Sequence, residues 1–188
     1  DFALASNLST RYDNEVRKVG FGSGYSGSAK SEPLQGLCIT FVDPWTKEAV
    51  AYRLRPDTPL SIDGKPAKYL SRTGEKQHLF FPHTSTVERL EDAKIPMVIA
   101  EAELKALSVA ENLEAMKKTF AVVGLTGVNG AWGRAKESVM LPDGGHEKQN
   151  HGPAKLISDF DKIAFKNRLV YIIFDSDVGT PKHAADFK

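Results

Sequence analysis

Three short runs of almost unbroken apolar residues restrict what this chain can become: PMVIAE at 96–101, TFAVVGL at 119–125 and RLVYIIFD at 168–175. A strand with one wet face alternates apolar and polar residues; a strand buried on both faces does not. Between the first two runs lies AELKALSVAENLEAMKK, where Leu104, Leu107, Ala110 and Leu113 fall at helical spacing. Before the third run, AKLISDFDKIAFK at 154–166 predicts a second helix. The glycine-rich LTGVNGAWG and the glycine- and proline-dotted VMLPDGGHEKQNHGP read as loops. Strand, helix, strand, helix, strand over 91–188 predicts an α/β fold, a parallel sheet flanked by helices.

The first half has a different texture. Residues 1–35 read as a lead-in segment and loop, ending in GFGSGYSGSAKSEP. From 36 to 90 the pattern predicts a smaller β-rich subdomain. LCITFVD and AVAYRLR flank the polar turn DPWTKE and suggest a hairpin. Residues 56–66 read as a loop, with Pro56, Pro59, Pro66 and an Asp63-Gly64 turn, and AKYLS and HLFFP are two more short strand candidates. With 188 residues, 41% of them hydrophobic and 26% charged, the chain has material for a sizeable core. A net charge of +1 means that any polyanion must be met by a local patch. The single cysteine, Cys38, excludes a disulfide framework and a cysteine-rich zinc site within the chain and fits a reducing, cytoplasmic setting. No apolar run approaches membrane-spanning length. The chain starts without Met and stops soon after DSDVG, so a piece of a longer protein is expected, truncated at its C-terminal end.

Acidic residues mark the ends of two of the buried runs. Glu101 ends the first and Asp175 the third, with Asp177 two residues on. Ligands of parallel α/β sheets bind beyond the carboxyl ends of the strands. If these two strands are neighbours, the three carboxylates share one edge, and residues two apart on extended chain lie on one side. Converging carboxylates repel unless a cation or proton is held between them, and hard oxygen ligands suit Mg²⁺. The same residues also fit a helix-dipole partner and two solvated turn aspartates.

VIAEAELKALS, followed by VVGLTG and VYIIFDSDVG, resembles the Toprim domain of topoisomerases, primases and related nucleases, with its glutamate after a first strand and DxD after a later one. The whole looks most like the Toprim-like domains of phage and plasmid replication proteins, often fused to helicases. The resemblance covers about half of the chain and implies Glu101, Asp175 and Asp177 as catalytic residues and Mg²⁺ (or Mn²⁺) ligands, or Glu101 as a general acid/base. Ala102 stands where the family usually has Gly, and Lys105 where many members have another acid. Lys105 has no acceptor and cannot ligate a cation while protonated; it can contact a phosphate or pair with Glu101 one helical turn away.

The segment from GLCITFVD to HLFFP is similar to the basic subdomain that precedes Toprim in bacterial-type primases, with Arg53, Arg55, Lys68 and Tyr69 matching its features. Residues 47–76 hold seven Lys/Arg against four Asp/Glu. A face with Arg53 and Arg55 would hold template or nucleotide phosphates, and Tyr69 offers a stacking surface; a solvated polar face and a half-buried packing tyrosine explain the same residues.

Other signals lead nowhere specific. Gly22 to Gly27 fits GxGxxG but lacks the preceding buried strand and following helix. His146-Glu147 and His151 have one residue too many for a zincin helix. The loop 124–133 lacks the Lys-Ser/Thr of a P-loop; it fits a structural turn or a wall of the site, from which Arg134 reaches either a phosphate or solvent. Trp45 and Trp132 are expected to pack. Three functions fit: a primase-like nucleotidyl transferase making primers on single-stranded DNA, a Toprim-type nuclease, and a non-catalytic single-stranded DNA-binding module serving a helicase domain or partner. The basic subdomain favours the first.

Overall fold

A computed structural model describes residues 16–21, 34–62, 65–71, 76–140 and 146–175. In chain order the elements are β1 (Val16–Phe21), β2 (Leu34–Val42), β3 (Ala49–Pro56), β4 (Leu60–Ile62), β5 (Lys65–Ala67), β6 (Leu70–Ser71), α1 (Val87–Glu91), β7 (Met97–Ala100), α2 (Glu103–Ala115), β8 (Ala121–Gly124), β9 (Trp132–Met140), β10 (His146–Leu156), a 3₁₀ turn (Ser158–Lys162) and β11 (Val170–Ile173). The fold is mixed α/β.

The three apolar runs form a parallel sheet in the order β11-β7-β8, with Ala100 opposite both Ile173 and Gly124. Their alternation in space explains their lack of alternation in sequence. On β7, Val98 and Ala100 enter one apolar cluster while Met97 and Ile99 enter another. On β8, Val122 joins the first cluster, Ala121 and Val123 the second. Both faces of β7 and β8 are therefore dry, as continuous apolar strands require. The third run, expected to be buried in the same way, is not: β11 is an edge strand with Tyr171, Ile172 and Ile173 exposed, because the helix expected over 154–166 is not there to cover it. Phe80, Leu90, Met97, Leu107 and Val123 are fully buried, and burial of each such side chain contributes on the order of 1.5–3 kcal/mol. β8 is extended at its free edge by Phe80, whose backbone exchanges two hydrogen bonds with Gly124 at 2.9 and 2.8 Å.

The first cluster is covered by α2 and by an antiparallel sheet, β1-β2-β3-β6. Ile39 and Phe41 of β2 and Ala51 of β3 pack with Ala106, Leu107 and Ala110 of α2. Residues on both sides of position 90 thus share one core. The β2–β3 hairpin forms as the turn DPWTKE predicts, with Asp43 Oδ1 accepting the Trp45 and Thr46 amides at 2.8 and 3.2 Å. The chain also departs from expectation in this half. The lead-in segment contains β1, and the expected loop at 56–66 contains the β4–β5 pair. The GxGxxG residues 22–27 lie outside the described residues.

The second face differs more from the sequence reading. The expected helix over 154–166 is absent: β10 runs to Leu156, and the 3₁₀ turn follows. Asp159 explains the change. Its Oδ2 accepts the Leu79 amide at 2.8 Å and lies 3.2 Å from His78 Nδ1, so this segment is tied to a distant stretch of chain rather than to a helix of its own. Ile157 and Ile163 still enter the second cluster, beside Leu90 of α1. The loop expected around 139–153 is an antiparallel ribbon, β9 with β10. Its glycine and proline at 152–153 sit at the irregularity between His151 and Lys155, where a strand tolerates them. Arg168 ties this side together. Nearly buried, it donates to the carbonyls of Ile95 and Leu90, each at 2.8 Å, of Ala164 at 3.0 Å, and of Arg89. Leu90 and Arg89 lie in the last turn of α1, where a cation is favoured. Burial holds its pKa below the usual arginine value, opposed by the charge of Asp92.

No helix among the described residues is long and apolar enough to cross a membrane.

Candidate functional site: an acidic sheet edge with an internal cation

Strand order places β7 between β8 and β11, so the chain leaves β7 on one side and returns on the other. The ground beyond the carboxyl ends of β7 and β11 is where such sheets bind ligands. Glu101 follows β7 directly, and its amide donates to the Ile173 carbonyl at 3.1 Å, which continues the ladder by one residue. Asp175 lies two residues past β11. Its amide donates to Glu101 Oε2 at 2.9 Å across a separation of 74 residues.

Lys105, in the first turn of α2, closes the cluster. Its ammonium lies 3.3 Å from Glu101 Oε2 and forms a direct ion pair with Asp175 Oδ1. Partial burial lowers its pKa, but hydrogen bonds and charge from Asp175 and Glu101 outweigh that and hold it above the usual lysine value. The Glu101 side chain is 18% exposed, those of Lys105 and Asp175 37% and 56%, so the glutamate is the fixed member and the other two border solvent.

The loop after β8 supports the same edge. Leu125 donates to the Ala100 carbonyl at 2.8 Å and Gly127 to the Glu101 carbonyl at 2.9 Å. Gly127 takes φ +108°, a conformation that side chains other than hydrogen rarely adopt. A Cβ on Gly130 would stand 2.5 Å from the Thr126 amide, so the tight return of the loop needs glycine there too. The loop therefore borders the site, one of the two roles open to it from sequence.

Of the other residues singled out by sequence, Asp177 lies outside the described residues. Arg134 belongs to β9 rather than a loop, and only its backbone is described. Lys68 is exposed. Arg53, Arg55 and Tyr69 do come together: the guanidinium carbons lie 4.7 and 5.7 Å from the tyrosine ring centroid, and Arg55 Nη1 is 3.4 Å from the hydroxyl. For Arg53 that face is not an open groove. Arg53 pairs opposite Ile39, and Arg55 opposite Leu37, on the side of the sheet that packs against α2. There Arg53 forms an ion pair with Glu103, whose side chain is fully buried. Trp45 packs as expected, edge-on to Phe81 at 5.8 Å and bonded through Nε1 to Glu91 at 2.8 Å. Trp132, expected to pack, is half exposed. His146 and His151 pair with Met140 and Ala135 in the ribbon, on a strand and not on a helix. Among the described residues no group of three or more His, Cys, Asp or Glu gathers as a metal cluster.

Glu103 is the residue that sequence reading missed. Its Oε1 takes the Arg53 bond, and its Oε2 is buried without a partner among the described residues. The signal was available: Glu103, Ala106, Leu107 and Ala110 form one buried helical line, and a glutamate on such a line needs a cation.

The described donor set is two carboxylates at adjacent strand ends, bridged by an ammonium. Hard oxygen donors of this kind fit a Mg²⁺ ion that keeps several waters, with Asp177 available two residues further along the chain. Fold and edge define a class: a mixed α/β protein with an acidic site at the switch point of a parallel sheet. The chain belongs to the family described as Domain of unknown function (DUF3854), which matches residues 88–185 and so contains Glu101, Lys105, Asp175 and Asp177. Neither a curated protein nor a solved structure matches the chain.

Proposed function

We propose that residues 91–188 carry a Toprim-like domain and that the chain is a Mg²⁺-dependent, primase-like nucleotidyl transferase, acting on single-stranded DNA in the replication of a mobile element. One observation carries the reading: Glu101 and Asp175 meet at the carboxyl ends of neighbouring parallel strands, joined by the 2.9 Å bond from the Asp175 amide. A glutamate after one strand and an aspartate after the adjacent one, with Asp177 following, is the arrangement that the Toprim resemblance implies.

Glu101, Asp175 and Asp177 hold the cation in this reading. A bound divalent ion would neutralise charge on the incoming triphosphate and its leaving group. Arg55, Lys68 and Tyr69 meet template or nucleotide. Arg53, committed to Glu103, sets the position of α2 and with it that of Glu101.

The test is a reaction of the chain with Mg²⁺, fluorescent single-stranded DNA and labelled nucleotides, alongside Asp175→Asn/Asp177→Asn. Metal-dependent labelled product that disappears in the variant is expected. Shortened DNA in its place identifies a nuclease, and DNA binding without either product a loading module for a helicase.

A further inference from the structure

The cation already present at this edge is the Lys105 ammonium. Its placement runs against local preference: Lys105 is the third residue of α2, and the positive end of a helix disfavours a cation in its first turn. No acid of its own helix turn compensates, since Glu103 is turned inward to Arg53. What holds the ammonium is the pair of carboxylates that precede the helix and follow β11, Glu101 and Asp175. It contacts one oxygen of each, Oε2 of Glu101 and Oδ1 of Asp175. Those two groups would otherwise face each other as like charges.

We propose that Lys105 is an internal counter-cation that competes with the divalent ion for Glu101 and Asp175, so that loading of the site and release of the lysine are one exchange. The inference rests on the proposed metal site and adds its regulation. The exposures fit the exchange: the partly solvent-exposed lysine can swing away while the more buried glutamate stays. Once released, the ammonium stands one helical turn from the loaded site with no carboxylate partner there, and suits a phosphate oxygen of the substrate. The site then has two states: the lysine between the two carboxylates, and a loaded form in which they would hold the cation and the lysine would meet substrate. At no stage do the carboxylates stand unneutralised.

Calorimetric titration of MnCl₂ into the wild-type chain, Lys105→Met and Glu101→Gln tests this without any reaction. Removing the competitor should tighten Mn²⁺ binding in Lys105→Met by about tenfold or more, equivalent to ~1.4 kcal/mol. The metal-free variant should melt below the wild type, and saturating Mn²⁺ should raise its melting temperature by more. Lys105→Gln, which keeps length and polarity but not charge, should behave as Lys105→Met does. Equal or weaker Mn²⁺ binding in both lysine variants, with binding lost in Glu101→Gln, overturns the exchange and leaves the metal site standing. Absence of Mn²⁺ binding in every form, or binding indifferent to Glu101→Gln, overturns the site and the exchange together.

Discussion

Glu101 and Glu103 stand two residues apart at the start of one helix, and the fold uses them in opposite ways. Glu103 falls in phase with Ala106, Leu107 and Ala110, so helical geometry carries it into the core, where Arg53 of the antiparallel sheet meets it. Glu101 precedes the helix, continues the direction of β7 and ends at the sheet edge, with Asp175 and Lys105. In one pair the carboxylate is fully buried and its oxygens are closed to a ligand. The other borders solvent, with the Lys105 and Asp175 side chains 37% and 56% exposed. The difference teaches that charge at a site edge is not a measure of function; access is. A buried pair adds little net stability when made, yet is costly to break, whereas an exposed cluster costs little to alter and leaves its groups free for chemistry.

Removing Arg53 should have the largest effect. Arg53→Met leaves a fully buried carboxylate without its cation and should cost ~3–5 kcal/mol in urea denaturation. Arg53→Met/Glu103→Gln should recover much of that loss, because no buried charge remains. A single variant as stable as the wild type would break the comparison at its buried end.

Gly127→Ala comes next. The φ of +108° is strained for any residue with a Cβ, and the thermal melt should report a loss of ~1–2 kcal/mol. Because the Gly127 amide holds the Glu101 carbonyl, Mn²⁺ affinity should fall in the same variant. Asp175→Asn should be smaller again in stability, within ~1 kcal/mol of wild type, since the side chain is 56% exposed. A large loss of stability there would move Asp175 from the chemical class to the structural one.

The smallest effect belongs to an intermediate case, Asp43 with Lys162 at 2.6 Å. Burial raises the Asp43 pKa, but the Lys162 bond and the Thr46 and Trp45 amides outweigh it and leave the pKa below the ordinary carboxylate value. A depressed folded pKa contributes stability that is complete above the unfolded value, about 4, and is lost as pH falls through the folded one. Asp43→Asn should therefore melt lower than wild type at neutral pH, with the gap closing below about pH 4.

Much of the parallel sheet and its edge was legible because both rest on local pattern. Unbroken apolar runs signal strands buried on both faces, which holds for β7 and β8, and acids at their ends mark the edge where Glu101 and Asp175 meet; β11 forms where expected, but as an edge strand largely open to solvent. What escaped depends on partners distant in sequence. Asp159 replaces a helix with a 3₁₀ turn by bonding residues 80 and 81 positions away. The β9–β10 ribbon has no apolar alternation to announce it; its pairing is with itself. Arg53 read as a groove cation because its strand is basic, and only the buried line of α2, with Glu103 in it, reveals which way that face turns. Arg168 gave no signal, since its acceptors are main-chain carbonyls of another segment.

The central claim is that Glu101 and Asp175 together hold a divalent cation, and the most direct measurement is the electron paramagnetic resonance signal of Mn²⁺ titrated with the wild-type chain, Glu101→Gln and Asp175→Asn. Saturable loss of the free-ion signal with wild type, absent in both variants while their melting curves stay close to wild type, is the predicted result. Mn²⁺ bound equally by all three would contradict it.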